Sequence, residues 1–239
     1  MIHSDSFPKS NWTVQFDMSN DMVYTDAMSA ETLPPRVQRT RDKIIAAATE
    51  LFLSKGFVET RMDEVAARAQ VSKQTLYAHA GTKEALFLEM AERMIAGAVA
   101  AQRKATAEPQ SGDDPHAFLL AHAREQLRTA HDPNLMQIRR VAIAEALRFP
   151  EFGKAVFELG PGSAINRLER AFSKWHAAGK LDTPEPRRAA QMFNWLIMGG
   201  PTSEAMLKGT ASTQAKTAAE AHVTECVRVF WAAYGIGKS

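Results

Sequence analysis

Directly behind Ser72, a residue whose hydroxyl suits a helix start, the chain places Lys73, Gln74, Thr75 and Tyr77. On a helix beginning there, these side chains and His79 at the edge stay clear of the apolar positions around them. A glutamine in that setting can make a paired contact with adenine, while lysine, serine, threonine and tyrosine donate to phosphate oxygens or base edges. The helix N-terminus itself favours an anion. Taken singly, Tyr77 reads as well as a packing residue and His79 as an ordinary polar surface residue. The constellation points to DNA, with Thr60, Arg61, Ser72, Lys73, Gln74, Thr75, Tyr77, His79 and Lys83 as candidate contacts.

Reactive chemistry is harder to assemble. The seven histidines (His3, His79, His116, His122, His131, His176, His222) form no pair four apart, so no metal site is expected. No Gly-x-Ser-x-Gly elbow or glycine-rich phosphate loop occurs, and Gly160-Pro161-Gly162 reads as helix punctuation. Glu145 among Arg139, Arg140 and Arg148 suits an ion-pair network or a ligand anchor. The single Cys226 cannot close an internal disulfide, which suits a reducing cytoplasm. Neither a signal peptide nor a membrane span is expected, and the chain reads as a non-enzyme without cofactor.

The elements that must position the polar cluster are helical. Apolar residues recur at three and four throughout, so the expected fold is all-α. A first helix spans about 36–54, stopped by Gly56; a second follows Thr60 as N-cap, with Asp63 as its capping-box partner; a third runs from Ser72 to Ala80; Thr82 caps a long fourth to about Ala105. Ala66 supplies the small residue at a helix crossing, and Val65, Ala69, Val71 and Leu76 supply the seam of a helix-turn-helix. Gln70 occupies a turn position that favours glycine. Further helices are expected over 116–130 and 133–149, after Pro150, from Pro161 to Gly179, from Thr183-Pro184 through Leu207, and over 213–234. Residues 1–35 read as an irregular or disordered, dispensable arm.

Charge follows this division. Residues 36–83 carry nine Lys/Arg against five Asp/Glu, whereas the whole chain of 239 residues nets only +2. A basic block in a near-neutral protein is what a polyanionic partner leaves, although a solvated helix surface could look the same.

The run from Ile44 to Leu86 resembles the DNA-binding domain of TetR-family transcriptional regulators. The resemblance rests on Ala47-Ala48, Leu51-Phe52, Gly56-Phe57, Val65-Ala66, Ala69, Val71-Ser72-Lys73, Thr75-Leu76-Tyr77 and Lys83-Glu84-Ala85-Leu86. Ala80 departs from the aromatic usual there. Ile138 to Glu145, Arg148 to Phe152 and Gly160-Pro161-Gly162 are similar to the AefR-like branch.

The resemblance implies an N-terminal three-helix domain over 36–82. It also implies a C-terminal helical bundle over 83–239 for effector binding and dimerisation. A homodimeric repressor is then expected, released from a palindromic operator on double-stranded DNA by a small apolar or amphipathic effector. Phe193, Leu196, Leu207, Val223, Val227, Phe230 and Trp231 are candidate dimer-interface or adjoining core positions. Met90, Met94, His122, Met136, Phe149, Phe152, Phe157 and Met192 are large, adaptable side chains suited to an irregular effector pocket. The rival reading is a helical protein-interaction module without its own DNA readout; the basic helix-turn-helix is what such a module does not need.

Overall fold

The computed structural model describes residues 34–208 and 216–236, so the arm over 1–33 and the start of the last expected helix lie outside the described residues. Ten α-helices and one π-helical turn account for almost all of them: α1 Pro35–Glu59, α2 Met62–Ala69, α3 Lys73–Ala80, α4 Lys83–Ala105, α5 Pro115–Ala130, α6 Pro133–Glu145, α7 Pro150–Phe157, α8 Ser163–Ala177, α9 Pro186–Lys208 and α10 Lys216–Tyr234, with the π turn over Glu158–Gly162. A single antiparallel bridge, Leu181 to Gly235, is the strand-like pairing among the described residues. The chain divides into residues 1–42 and 43–239. In the first unit Gln38 Nε2 donates to Asp42 Oδ1 at 2.8 Å and Thr40 Oγ1 to Arg36 O at 3.0 Å. Everything below concerns the second.

Local chemistry explains the boundaries. Gly56 takes φ 84°, which breaks the helical path before a last short turn to Glu59. Ser72 Oγ accepts from Thr75 N at 3.0 Å and Thr82 Oγ1 from Ala85 N at 3.1 Å, so the expected caps of α3 and α4 form. Asp114 and Asp132 cap α5 and α6 ahead of prolines at the first helical position.

Three starts differ from the sequence expectation, the first being that of α2, where Arg61 and not Thr60 stands at the N-cap and makes no side-chain cap. Pro161 does not begin a helix: α7, the π turn and α8 follow one another, and the wider π turn accommodates a residue without an N–H. Glycine suits position 162 there, since a Cβ would stand a tight 3.1 Å from Phe157 O. Likewise α9 begins at Pro186, because Thr183 is buried and spends its hydroxyl on Phe172 O at 3.3 Å. Inside α9, Pro201 cannot bond the carbonyl four residues back. That carbonyl, Ile197 O, instead accepts from His222 Nε2 of α10 at 2.9 Å, which fixes the proton on Nε2.

Two apolar cores result. The first joins α1, α2, α3 and α4 to α6 and α7 through Phe52, Phe57, Phe87, Phe149 and Phe152, whose ring centroids lie 4.8–5.9 Å apart in seven pairs. The second packs α5, α8, α9 and α10 around Trp175, Phe172, Phe193 and Phe230. The helix-turn-helix therefore shares its core with two helices from the C-terminal half.

Candidate functional site

The α2–α3 crossing is closed by Val65, Ala66, Ala69 and Leu76, all buried, with Val71 packed at the edge. The turn between them is set by Gln70 at φ 56°, ψ 44°, the one non-glycine with positive φ among the described residues; Val71 N bonds back to Ala66 O at 3.0 Å. Ion pairs brace this unit: Lys55 to Glu64 at 3.0 Å, Arg68 to Glu50, and Lys73 to Asp63 at 2.6 Å. Asp63 thus pairs with Lys73 instead of completing a capping box.

Ser72, Lys73, Gln74 and Tyr77 are exposed along one end and face of α3, with Thr75 and His79 half-buried beside them. Arg61 is exposed and serves as backbone N-cap of α2. The exposed Lys73–Asp63 pair is weak enough for a phosphate to displace. Two candidates are placed differently. Thr60 is buried and its hydroxyl donates to Gly56 O at 2.7 Å and Leu51 O at 3.2 Å, both backbone carbonyls of α1. Lys83 turns inward: its Nζ donates to Val58 O at 3.0 Å and lies 4.7 Å from the Phe57 ring, and desolvation lowers its pKa. Both act as structural ties beneath the reading surface.

The C-terminal half holds a half-open apolar cavity with about 560 Å³ of empty space, mouth included. Its wall comes from α4 (Ile95, Ala98, Val99, Gln102), α5 (Gln126, Thr129, Ala130), α6 (Leu135, Arg139), α7 and the π turn (Val156, Gly160, Pro161), Ala164 of α8 and Met198 of α9. Gln102 Nε2, Gln126 Oε1 and Thr129 Oγ1 are buried there without hydrogen-bond partners, while Gln126 Nε2 donates to Asn194 Oδ1.

None of the eight pocket candidates lines this cavity. Met90, Phe152 and Met136 are buried in packing elsewhere; Met94 and Phe149 pack against the first core; Phe157 and Met192 are exposed, the latter's Sδ accepting from Tyr234 OH at 3.3 Å. Met94, Met136 and Phe157 each stand next in sequence to a lining residue yet point elsewhere, and His122 lies one turn before Gln126. It is fully buried between Phe118, stacked at 5.6 Å, and the Arg167 region, and burial lowers its pKa to about 3. The candidates were chosen for size and softness, which core positions share. The usable signal was a polar residue inside a buried stripe, as with Gln126 between Ala123 and Leu127 on α5.

The arginines around Glu145 separate into three tasks. Arg140 donates to Ala205 O at 2.8 Å, Arg148 lies 3.9 Å from Glu145, and Arg139 faces the cavity.

Of the dimer candidates, Phe193, Val223, Val227 and Phe230 are buried within the chain's own second core, and Trp231 is half-buried, its ring centroid 5.2 Å from that of His116 in a T-shaped pair. Leu196 and Leu207 are exposed. The outward side of α9 and α10 also carries exposed Met192, Trp195 and Val229.

A helix-turn-helix with an exposed polar reading face, set on a helical domain with an internal cavity, defines a one-component DNA-binding regulator. Residues 44–90 match the family model of bacterial regulatory proteins of the tetR family, and residues 117–236 match the C-terminal domain of AefR-like transcriptional repressors. A TetR-family transcriptional regulator from Mesorhizobium loti superposes with a TM-score of 0.78 at 31% identity, covering 85% of this chain and 100% of that one. The flavonoid-responsive regulator FrrA superposes at 0.69 with 30% identity, covering 84% and 100%. The transcriptional activator FasR of Mycolicibacterium smegmatis is 39% identical over 71 residues, 30% of this chain and 32% of that protein. The chain spans about a third of the length of the curated relatives it matches. It belongs to the TetR family of DNA-binding transcriptional regulators. No helix among the described residues is long and apolar enough to cross a membrane.

Proposed function

We propose that the protein is a homodimeric repressor that leaves a two-fold symmetric operator when a small apolar or amphipathic compound fills the cavity among α4, α5, α6 and α9. One observation carries this reading: Ile95, Val99, Leu135 and Val156 line the cavity and also belong to, or pack against, the core that holds Val65, Ala66 and Leu76 of the helix-turn-helix. A ligand that shifts α4 or α7 acts on the support of the reading helix, provided that it prefers one of the two arrangements. Repression is favoured by the C-terminal match, which is to a repressor domain.

The apolar stripe of Met192, Trp195 and Leu196 on α9, with Val229 on α10, supports a dyad interface, because these side chains are exposed on the described residues' surface. Two α3 helices related by a dyad require half-sites about one helical turn apart or a multiple of it. Protection mapping on DNA upstream of the protein's own gene should therefore show two equal half-sites. Asymmetric or absent protection would overturn the proposal and favour a protein-interaction module. Trp195→Glu should give a folded monomer by sedimentation that no longer protects both half-sites, whereas a stable dimer would move the interface. Val227→Glu is unsuited to this test, since Val227 is core.

A further inference from the structure

The cavity wall is apolar except for four groups, and none of them is a carboxylate. Arg139 is the only cation among the lining residues. Its guanidinium has two weak contacts, Nη1 to Ala130 O at 3.4 Å and Nη1 to Met136 Sδ at 3.8 Å, and it forms no ion pair with an acidic side chain of the described residues. Burial lowers its pKa with no acid to oppose the effect. A partly desolvated guanidinium with five donors and no anion is an unfinished site. Thr129 stands next to Ala130, the residue whose carbonyl Arg139 touches, and its hydroxyl is also without a partner. Farther along the wall, Gln102 Nε2 offers a donor and Gln126 Oε1 an acceptor.

The neighbouring cation makes the contrast clear. Arg167, also buried, donates to Thr106 Oγ1 at 2.8 Å and to the Thr106 and Ala107 carbonyls at 2.5 and 2.6 Å, with Glu108 at 3.4 Å. Both terminal nitrogens of that guanidinium are supplied by its own chain, and Nε alone lacks a hydrogen bond. Arg139 is supplied by almost nothing, although it borders the space a ligand would fill.

We propose that the cavity takes a small apolar carboxylic acid, bound as the carboxylate with Arg139 as its anchor and its hydrocarbon or aromatic body against Ile95, Val99, Leu135, Val156 and Met198. Paired N–H···O bonds from a guanidinium match a carboxylate's two oxygens, and the apolar wall strengthens the pairing by excluding water. The proposal rests on the cavity being the effector site, and it adds the charge and head group of the occupant.

The test uses the full-length protein and two matched pairs of probes, 2-naphthoate against 2-naphthamide and octanoate against octanamide, with binding read by calorimetry. At least one acid should bind tenfold or more tightly than its amide. Arg139→Gln should remove that preference, weakening acid binding tenfold or more and amide binding far less. Arg139→Lys, which keeps a charge but not the paired geometry, should keep part of it. Circular dichroism melts check that both variants fold. Equal binding of acid and amide to the wild type, failure of both acids to bind, or an acid preference that survives in Arg139→Gln would overturn the proposal. Acid binding through Arg139 that leaves the operator complex intact would uphold the inference and overturn the repressor-release reading instead.

Discussion

The two ends of this molecule treat buried polar groups in opposite ways. Between Lys43 and Met90 no buried side-chain nitrogen or oxygen among the described residues lacks a partner: even Thr60 has two carbonyls to bond. All such orphans fall between Gln102 and Thr202, on Gln102, His122, Gln126, Thr129, Arg167, Asn194 and Thr202. An unmade hydrogen bond in an interior costs about 1–3 kcal/mol, so the reading end is a finished structure and the sensing end is one whose polar interior is open to completion. A scaffold that must hold four polar side chains in register for DNA benefits from being finished. A cavity that must prefer one occupant benefits from groups that only that occupant satisfies.

The comparison breaks first if the reading end is not finished by the other half. Phe152 belongs to α7 yet touches Phe57, Phe87 and Phe149 at 5.5, 4.8 and 5.2 Å, and it is buried. Phe152→Ala should cost about 3–5 kcal/mol of unfolding free energy. It should weaken binding to specific and random DNA together, because α1 and α4 lose the surface that holds α2 and α3. Denaturant unfolding and fluorescence anisotropy on both DNAs check it; unchanged stability would mean that the reading end supports itself.

The sensing end can be probed by acid. His122 titrates near its ordinary value of 6.5 when unfolded but is held neutral down to about 3 in the fold by desolvation and the nearby Arg167 charge. Below pH 6.5 the unfolded chain therefore binds a proton that the folded chain refuses, and stability falls as pH drops from 6.5 toward 3, by up to about 1.4 kcal/mol per pH unit. His122→Leu should flatten that part of the stability profile. A parallel profile for wild type and variant would show that His122 finds a protonated arrangement that the buried geometry does not offer.

How much of this could be read beforehand differs between the same two ends. The helix-turn-helix was legible because each position has its own local reason: Ser72 and Thr82 are caps, Gly56 is a break, and Ala66 is a crossing. Those reasons act within four or five residues, where one sequence suffices. Thr60 was not legible as a buried tie, and Lys83 not as one that bonds Val58 O, because their partners are backbone carbonyls of α1, which residue types do not reveal. The cavity was not legible. Its wall draws on α4 to α9 and the π turn, and a methionine or phenylalanine on any of them has the same local pattern whether it fills a core or borders a space. Pro161 shows the limit again: proline at a helix start and proline in a π turn have the same neighbours in sequence.

Within the finished end, roles should separate by side chain. Gln74→Ala should lower discrimination at one base pair of each half-site by about 1–3 kcal/mol, with binding to random DNA little changed. Lys73→Ala should weaken all sequences alike and flatten the salt dependence, since its exposed ammonium is held by Asp63 in a surface ion pair. Equal losses on specific and random DNA for Gln74→Ala would move base reading to Tyr77 or to the edge residues.

The smallest effect concerns the one place where the finished end carries strain. Gln70 sits at φ 56° in the turn between α2 and α3, a conformation that costs a residue with a Cβ about 1 kcal/mol relative to glycine. Its side chain is exposed, and its backbone N–H already bonds to Ala67 O at 3.1 Å, so the geometry of the turn belongs to the backbone alone. Gln70→Gly should remove the strain and keep every hydrogen bond of the turn, although the freer unfolded chain offsets part of the gain. The net expectation is a rise of up to about 1 kcal/mol, or roughly 2–4 °C in Tm for a chain of this size, with operator affinity unchanged. A calorimetric scan decides it. A lower Tm would mean that the glutamine side chain ties the turn in a way the backbone geometry does not require, and the reading end would then depend on a contact outside its core.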